Sequence, residues 1–148
     1  MIHNTRWGWI DNHPMAKVHW YDAAAFAKWV GGSLPTEQQW EKAARGTDGR
    51  KYPWGDTFDA AKCVCSVVVK RLNTEPVGSL KSGASPYGCM DMAGNIWEWC
   101  VSDREDYILR GGPWYSSSIG DFHAWARDIC NPIDNRDGGF RIVFQDSV

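Results

Sequence analysis

Helical periodicity is confined to two short early stretches of the chain, and most of the remaining sequence is punctuation. Phe26, Trp29 and Val30 recur at i, i+3 and i+4 behind Asp22, and Gly31-Gly32 stops the run. The spacing predicts a helix over residues 23–30 capped by Asp22. A second helix is predicted at once: Thr36 and Gln39 stand at capping-box spacing, Trp40, Ala43 and Ala44 mark a buried stripe, and Gly46 ends it. Strand patterns are brief, at residues 16–20, 96–102, 107–110 and 139–144. Residues 47–86 read as turns, among them Asp48-Gly49, Pro53-Trp54-Gly55-Asp56, Pro76-Val77-Gly78 and Ser85-Pro86. Turn residues mixed with this many aromatics predict an ordered, loop-rich body. No repeat or linker divides the 148 residues, so one domain over 1–148 is expected.

Composition narrows the function classes. Ten Trp are far above ordinary usage, and rings of that size serve either a core with few regular elements or a contact surface. A net charge of −2 with scattered Lys and Arg lacks the basic footprint of a nucleic-acid binder. The five cysteines, Cys63, Cys65, Cys89, Cys100 and Cys130, cannot all pair internally. Cys63-Val64-Cys65 is too tight for a zinc knuckle, so buried reduced thiols are expected. No apolar run approaches the roughly 20 residues of a membrane span, and residues 1–11 lack the character of a signal peptide. His3, His13, His19 and His123 form no i, i+4 pair, so they are read as surface or satisfied core residues.

One segment departs from the rest. Residues 1–110 contain 7 Lys, 5 Glu, 2 Gln and 4 Met, whereas residues 111–139 contain none of these types. That interior, rich in Ser, Asp, Asn, Ile and Gly, lies between Arg110-Gly111-Gly112-Pro113-Trp114 and Gly139-Phe140-Arg141-Ile142-Val143.

The motifs Val18-His19-Trp20-Tyr21-Asp22-Ala23, Leu34-Pro35-Thr36-Glu37-Gln38-Gln39-Trp40, Tyr52-Pro53-Trp54-Gly55, Asp91-Met92-Ala93-Gly94-Asn95-Ile96-Trp97-Glu98-Trp99, Arg110-Gly111-Gly112 and Gly139-Phe140-Arg141 occur in that order. In this order they resemble the successive signatures of the formylglycine-generating-enzyme domain family. The resemblance runs from about Val18 to Val143. It implies an α+β, C-type-lectin-like fold with two short helices, short antiparallel strands and many loops. Residues 1–17 then form a short N-terminal extension where members usually carry further strands.

Fold alone does not name an activity. The resemblance implies that oxidase members hold copper through two cysteines a few residues beyond the Gly-Gly bracket. Here residues 114–122 contain no cysteine and Cys130 stands alone, so no copper is expected and no oxidase chemistry. The iron-dependent sulfoxide synthases draw metal ligands partly from an extra helical domain, for which this chain has no room. A lectin-type calcium motif fails as well, because Glu75-Pro76-Val77 lacks its third ligand.

The bracketed segment is similar to that of the variable proteins of diversity-generating retroelements. There, adenine-specific mutagenesis of Asn codons rewrites the final segment on a fixed scaffold. Such codons yield Tyr, Ser, Phe, His, Ile, Asp and Gly, but never Lys, Glu, Gln, Met or Trp. The expected function is therefore binding of a varied, protein ligand without catalysis. A fixed-specificity binding domain of the same family, or an enzyme of unrecognised type, are the alternatives. The expected ligand-binding residues are Tyr115, Ser116, Ser117, Ser118, Ile119, Asp121, Phe122, His123, Trp125, Asp128, Ile129, Cys130, Ile133, Asp134 and Asp137. Against this, Phe122, Ile129 and Ile133 are equally plausible as side chains buried beneath the loop. Trp114 and Trp125 fall outside the codon set and read as frame.

The resemblance also implies a structural calcium site, with side-chain oxygens from Asp91 and Glu98 and backbone carbonyls of Gly94 and Ile96. The competing reading has both carboxylates satisfying protein donors. Arg127, Arg136 and Arg141 are expected to pair with nearby Asp residues and loop carbonyls. Trp20, Trp29, Trp40, Trp54, Trp97 and Trp99 are expected in the core, while Trp7 and Trp9 remain open between covering the core and an oligomer contact. Neither the ligand's identity nor the oligomeric state follows from the sequence.

Overall fold

The computed structural model describes residues 11–104, 106–133 and 138–145. Trp7, Trp9, His3, Asp134, Arg136 and Asp137 lie outside the described residues. Two helices, α1 (Trp20–Trp29) and α2 (Glu37–Arg45), precede four strands: β1 (Trp97–Val101), β2 (Tyr107–Arg110), β3 (Arg127–Cys130) and β4 (Gly138–Gly139). The strands form one sheet in the order β3-β2-β1-β4. β1 pairs antiparallel with β2, and β2 antiparallel with β3, whereas β4 runs parallel to β1 through Trp97↔Gly138 and Glu98↔Gly139. The expected short antiparallel strands form at β1, β2 and β3, and β4 adds one parallel edge that makes the sheet mixed.

Helix α2 forms as its sequence dictates. Thr36 Oγ1 accepts from the Gln39 amide at 3.1 Å, Gln39 Oε1 accepts from the Thr36 amide at 2.9 Å, and Gly46 ends the helix at φ 70°. Trp40 and Ala44 face inward as predicted. Helix α1 differs from its prediction in start and in face. It begins at Trp20, with Asp22 in the first turn, where a negative charge meets the helix dipole. Its buried positions are Ala23 and Ala27, while Phe26 and Val30 are exposed and Trp29 is 80% exposed. The reason is space: Trp97, Trp99 and Leu109 fill the interior beside α1, and only alanine leaves room for the helix to close on them. Phe26 packs instead at the rim, on Phe140 and Trp29.

The sheet is covered on both sides. Ala23, Ala27, Leu34, Trp97, Trp99 and Leu109 pack on one, and Trp40, Ala44, Met92, Cys100 and Ile108 on the other. A third cluster of Tyr52, Cys63, Cys65, Ala93 and Phe122 lies among the loops. Residues 47–86 are turns and bridges apart from a single 3-10 turn, Lys81–Gly83, as the punctuation predicts. The strand expected over residues 16–20 does not form: Trp20 opens α1, and its indole donates to the Cys100 carbonyl at 3.1 Å. The one expected over 139–144 reduces to β4 and an isolated Ser33↔Val143 bridge. β3 carried no clear periodicity, because it is an edge strand exposing Arg127 and Ile129.

Thr36→Ala should cost about 1 kcal/mol through the lost cap. Trp29→Ala should change stability by less than about 0.5 kcal/mol, as befits an exposed ring. Urea unfolding followed by circular dichroism measures both.

Candidate functional site

Two buried ion pairs fix the frame of the bracketed segment. Glu98, on β1, accepts from the Trp40 indole at 2.7 Å and from Arg141 at 2.5 and 2.6 Å, and Arg141 also donates to the Met90 carbonyl. Arg110, at the end of β2, is 1% exposed. It donates to the carbonyls of Trp125 and Ala126 at 2.8 and 3.0 Å and to Glu41 of α2 at 2.5 Å, with its guanidinium over the Trp40 ring. Burial alone would raise the Glu41 pKa, but hydrogen bonds from Arg45 and Arg110 outweigh it and hold that carboxyl below its ordinary value. Arg127 lies 3.5 Å from Glu37. Among the described residues, the carboxylates that Arg127 and Arg141 meet are Glu37 and Glu98, brought to them by helix α2 and strand β1, and Arg141 also meets the loop carbonyl expected of it, that of Met90.

Between the brackets the chain is tied down mainly by backbone. Gly94 N–H donates to the Gly111 carbonyl, Trp114 N–H to the Asn95 carbonyl, Ser66 N–H to the Ser116 carbonyl and Ala124 N–H to the Lys51 carbonyl, all within 2.8–2.9 Å. Gly112 has φ 78°, and a Cβ there would fall 2.7 Å from the Asp121 carbonyl oxygen, so the bracket needs glycine. Ser116 Oγ donates to Asp121 at 2.6 Å and accepts from the Ser118 amide, closing the 3-10 turn Ile119–Phe122.

This arrangement sorts the expected ligand-binding residues. Tyr115, Ser117, Ser118, Ile119, Ile129 and Ile133 are exposed, the last two at 57% and 63%. Three expectations are corrected. Phe122 is fully buried, stacked on Phe58 within the third cluster. Cys130 is buried against Trp99 and Leu109 because it points inward from β3. Ser116 is buried and spends its hydroxyl on the local turn. Trp125 is half frame and half surface: His123 stacks on it at 4.5 Å and the Arg45 guanidinium lies 5.2 Å from its ring, yet 41% of it is exposed. Burial and the Lys51 charge hold His123 below the ordinary histidine pKa, and its Nε2 lies 3.2 Å from the Tyr52 hydroxyl.

Tyr115, Ser117, Ser118, Asp121 and Asp128 meet around one open cleft of about 520 Å³, with Arg127 at its edge. A second depression of about 460 Å³ shares Tyr115 and Ser117 and is walled by Lys70, Arg71 and Leu72. Ile119, Ile129 and Ile133 lie outside both linings. Arg127, Lys70, Arg71 and Leu72 went unpredicted as site residues. The run Val68-Val69-Lys70-Arg71-Leu72 is the available signal, an apolar stretch beside cations in a turn-rich region, with Val68, Val69 and Leu72 all exposed.

Residues 4–146 match the family described as the sulfatase-modifying factor enzyme 1-like domain. The chain belongs to that family. It is 41% identical over 102 residues to a formylglycine-generating enzyme of Streptomyces coelicolor, covering 60% of this chain and 32% of that protein. It is 35% identical over 137 residues to the inactive C-alpha-formylglycine-generating enzyme 2 of Bos taurus, covering 77% and 42%. Among solved structures, Treponema denticola variable protein 1 superposes with a TM-score of 0.74 at 21% identity, over 88% of this chain and 70% of that one. The chain spans 19 to 42% of the length of the curated relatives it matches. The sulfatase-modifying factor family thus includes enzymes and inactive members on one fold.

In this member of the sulfatase-modifying factor family, the Asp91 and Glu98 carboxylates line a separate cavity of about 430 Å³ beneath Arg141. Asp91 sits at φ 56°, accepts from the Gly78 amide at 2.7 Å, and is pushed above the usual carboxylate range by burial, with Glu98 adding to the shift. No three His, Cys, Asp or Glu side chains form a metal set among the described residues. The donor chemistry fits a hard cation in part. Asp91 is an incompletely compensated carboxylate, while Glu98 already carries the guanidinium.

Arg110→Ala should cost about 2–4 kcal/mol, because it strips the Trp125 and Ala126 carbonyls of their buried donor, while Glu41 keeps Arg45 at 2.8 Å. Chemical denaturation measures this. Asp91→Asn keeps the acceptor and suits φ 56°, so it should stabilise the protein at pH 7 in chelator. A carboxyl with a raised folded pKa costs stability above that pKa and regains it as pH falls through it. The gain from Asp91→Asn should therefore shrink on acidification, which a pH series of melting curves will read.

Proposed function

We propose that this chain is a binding domain in which residues 111–139 present a changeable surface on a fixed frame. One observation carries the reading. The segment's attachments are buried backbone hydrogen bonds and the frame residues Arg110, Gly112 and Phe122, whereas Tyr115, Ser117, Ser118, Ile119, Ile129 and Ile133 are exposed. Exposed side chains of this kind can be exchanged without unfolding what carries them; Tyr115 rests edge-on against Trp114, at 5.4 Å between ring centroids, with 44% of it exposed. Tyr supplies contact area with few rotors, Ser supplies adaptable hydrogen bonds, and Asp121, Asp128 and Arg127 add charge selectivity around the cleft. A protein ligand fits a surface that is broad and open rather than a closed small-molecule pocket.

Three further features support the reading. The stretch at residues 114–122 holds no cysteine, so the two-sulfur copper chemistry of the oxidase branch has no ligands there. The missing Lys, Glu, Gln and Met are the types that adenine-mutagenised Asn codons exclude. The fold is that of Treponema denticola variable protein 1. A retroelement's rewriting of this segment would account for the missing residue types. A near-copy of the coding region for residues 111–139 beside a reverse transcriptase, with adenines at the differing positions, tests it directly.

Replacing Tyr115, Ser117, Ile119 and Ile129 together should leave the unfolding free energy within about 1 kcal/mol, whereas Phe122→Ala alone should cost about 3–5 kcal/mol. Unfolding of the quadruple variant under conditions where the parent is folded would sink the proposal. Calcium, if held, would use the Asp91 and Glu98 carboxylates with the Gly94 and Ile96 carbonyls, supplying structural charge compensation only. Millimolar calcium should then raise the melting temperature over chelator, and Asp91→Asn should abolish the difference. Identical melting curves would remove calcium from the account.

A further inference from the structure

The strap that braces the binding segment contains a buried pair of thiols that the proposed function does not use. Cys63 and Cys65 are 1% and 4% exposed, and no disulfide joins any cysteines among the described residues. Val64, between them, forms a parallel bridge with Gly94, and its carbonyl accepts from the Asn95 amide at 2.9 Å. Alternation along such backbone sends residues 63 and 65 to the same side. There both thiols lie in the third cluster, with Cys63 disposed as a donor toward Cys65. Cys65, unlike Cys63, also lines a cavity of about 410 Å³ with Ala60, Ala61, Val68, Val69 and Arg71, whose Nε donates to the Cys65 carbonyl.

The surroundings divide the roles. The hydrogen bond from Cys63 holds the Cys65 thiol below its usual pKa despite burial, with the Val67 amide and the Arg71 charge acting the same way. The same bond and burial push Cys63 up. Cys65 thus has the greater thiolate character, at a cavity wall that it shares with Arg71, itself paired with Glu75, while Cys63 lies outside that lining. That is the arrangement of an attacking and a resolving cysteine.

We propose that Cys63 and Cys65 form a modification site for hydroperoxides, closing to a disulfide that loosens the strap beneath the binding segment. The Cys65 thiolate attacks one peroxide oxygen: a sulfur–oxygen bond forms, the oxygen–oxygen bond breaks, and the departing oxygen takes a proton from solvent. The Cys63 thiol then loses its proton and attacks the Cys65 sulfur. A sulfur–sulfur bond forms, the sulfur–oxygen bond breaks, and the hydroxide leaves as water. Two electrons pass from the thiols to the peroxide, and a dithiol reductant returns them.

The structural consequence comes from bond lengths. To form a disulfide the two sulfurs must close to about 2.05 Å, with their Cβ atoms about 3.8 Å apart, which an extended residue between them opposes. Val64 must leave its bridge. Ser66, directly after Cys65, donates its amide to the Ser116 carbonyl at 2.9 Å and its hydroxyl to the Trp114 carbonyl at 3.0 Å. Oxidation therefore reaches the base of the Tyr115–Ser118 surface. This consequence rests on the binding reading; the oxidation chemistry does not.

The experiment is stoichiometric hydrogen peroxide on the whole chain, alkylation, and mass analysis of the tryptic peptide between Lys62 and Lys70, which holds both cysteines. The expected result is a loss of two hydrogens in that peptide at a rate about ten-fold or more above oxidation of the half-buried Cys89, in line with thiolate character. Cys63→Ser should trap a dimedone-reactive sulfenic acid at Cys65. If that variant does not fold, dimedone on the unaltered protein during oxidation gives the same label. Amide exchange at residues 94–96 and 113–118 should rise several-fold on oxidation and fall back with dithiothreitol. Both cysteines staying alkylable, or Cys89 reacting first, overturns the site. A disulfide without faster exchange overturns the coupling and leaves the binding reading standing.

Discussion

The Glu98 carboxylate is the constraint around which the structure closes. A charge this deeply placed is tolerable only with its hydrogen-bonding capacity filled, and here the donors come from distant parts of the chain: the Trp40 indole of α2 and two nitrogens of Arg141 beyond β4. Satisfying one carboxylate thus fixes the helix, the central strand and the C-terminal segment relative to one another. Arg110 repeats the device one strand away, linking α2 to the carbonyls of Trp125 and Ala126. Both guanidiniums are planar forks, which is why directional donors rather than lysines stand at the two brackets.

The geometry between the brackets depends on that frame. A segment whose strands are only the two short sheet edges, β3 and β4, must satisfy much of its backbone elsewhere, and it does so through Gly94, Asn95, Ser66 and Lys51. Because main-chain atoms do the holding, few side chains of residues 115–119 are needed for it. Phe122 is the exception, entering the loop cluster with Tyr52 and Ala93 and anchoring the far end of the turn. The same economy explains how relatives with an activity and relatives without one share this architecture. Chemistry on this fold depends on which side chains the loops carry, not on what holds the loops.

Local signals determined a good part of this. The Thr36–Gln39 capping box, the Trp40 and Ala44 stripe, strands β1 and β2 and the turn-filled stretch at 47–86 depend on neighbours within a few residues, and each was legible in the sequence. So were the bounds of the glycine-bracketed segment, because such motifs and an abrupt change in residue types need no partner to be seen. Tertiary structure decided the rest wherever the deciding neighbour was remote. Trp29 faces outward because Trp97 and Trp99 had filled the space that its helical phase would claim, leaving room only for Ala23 and Ala27. Ser116, Phe122 and Cys130 looked like their exposed neighbours until the turn, the loop cluster and β3 drew them inward. Among the described residues, Arg127 and Arg141 meet glutamates that are remote in the chain, on α2 and β1. Propensity and periodicity report on the next turn of the chain; which buried charge meets which partner is set only when the whole chain has closed.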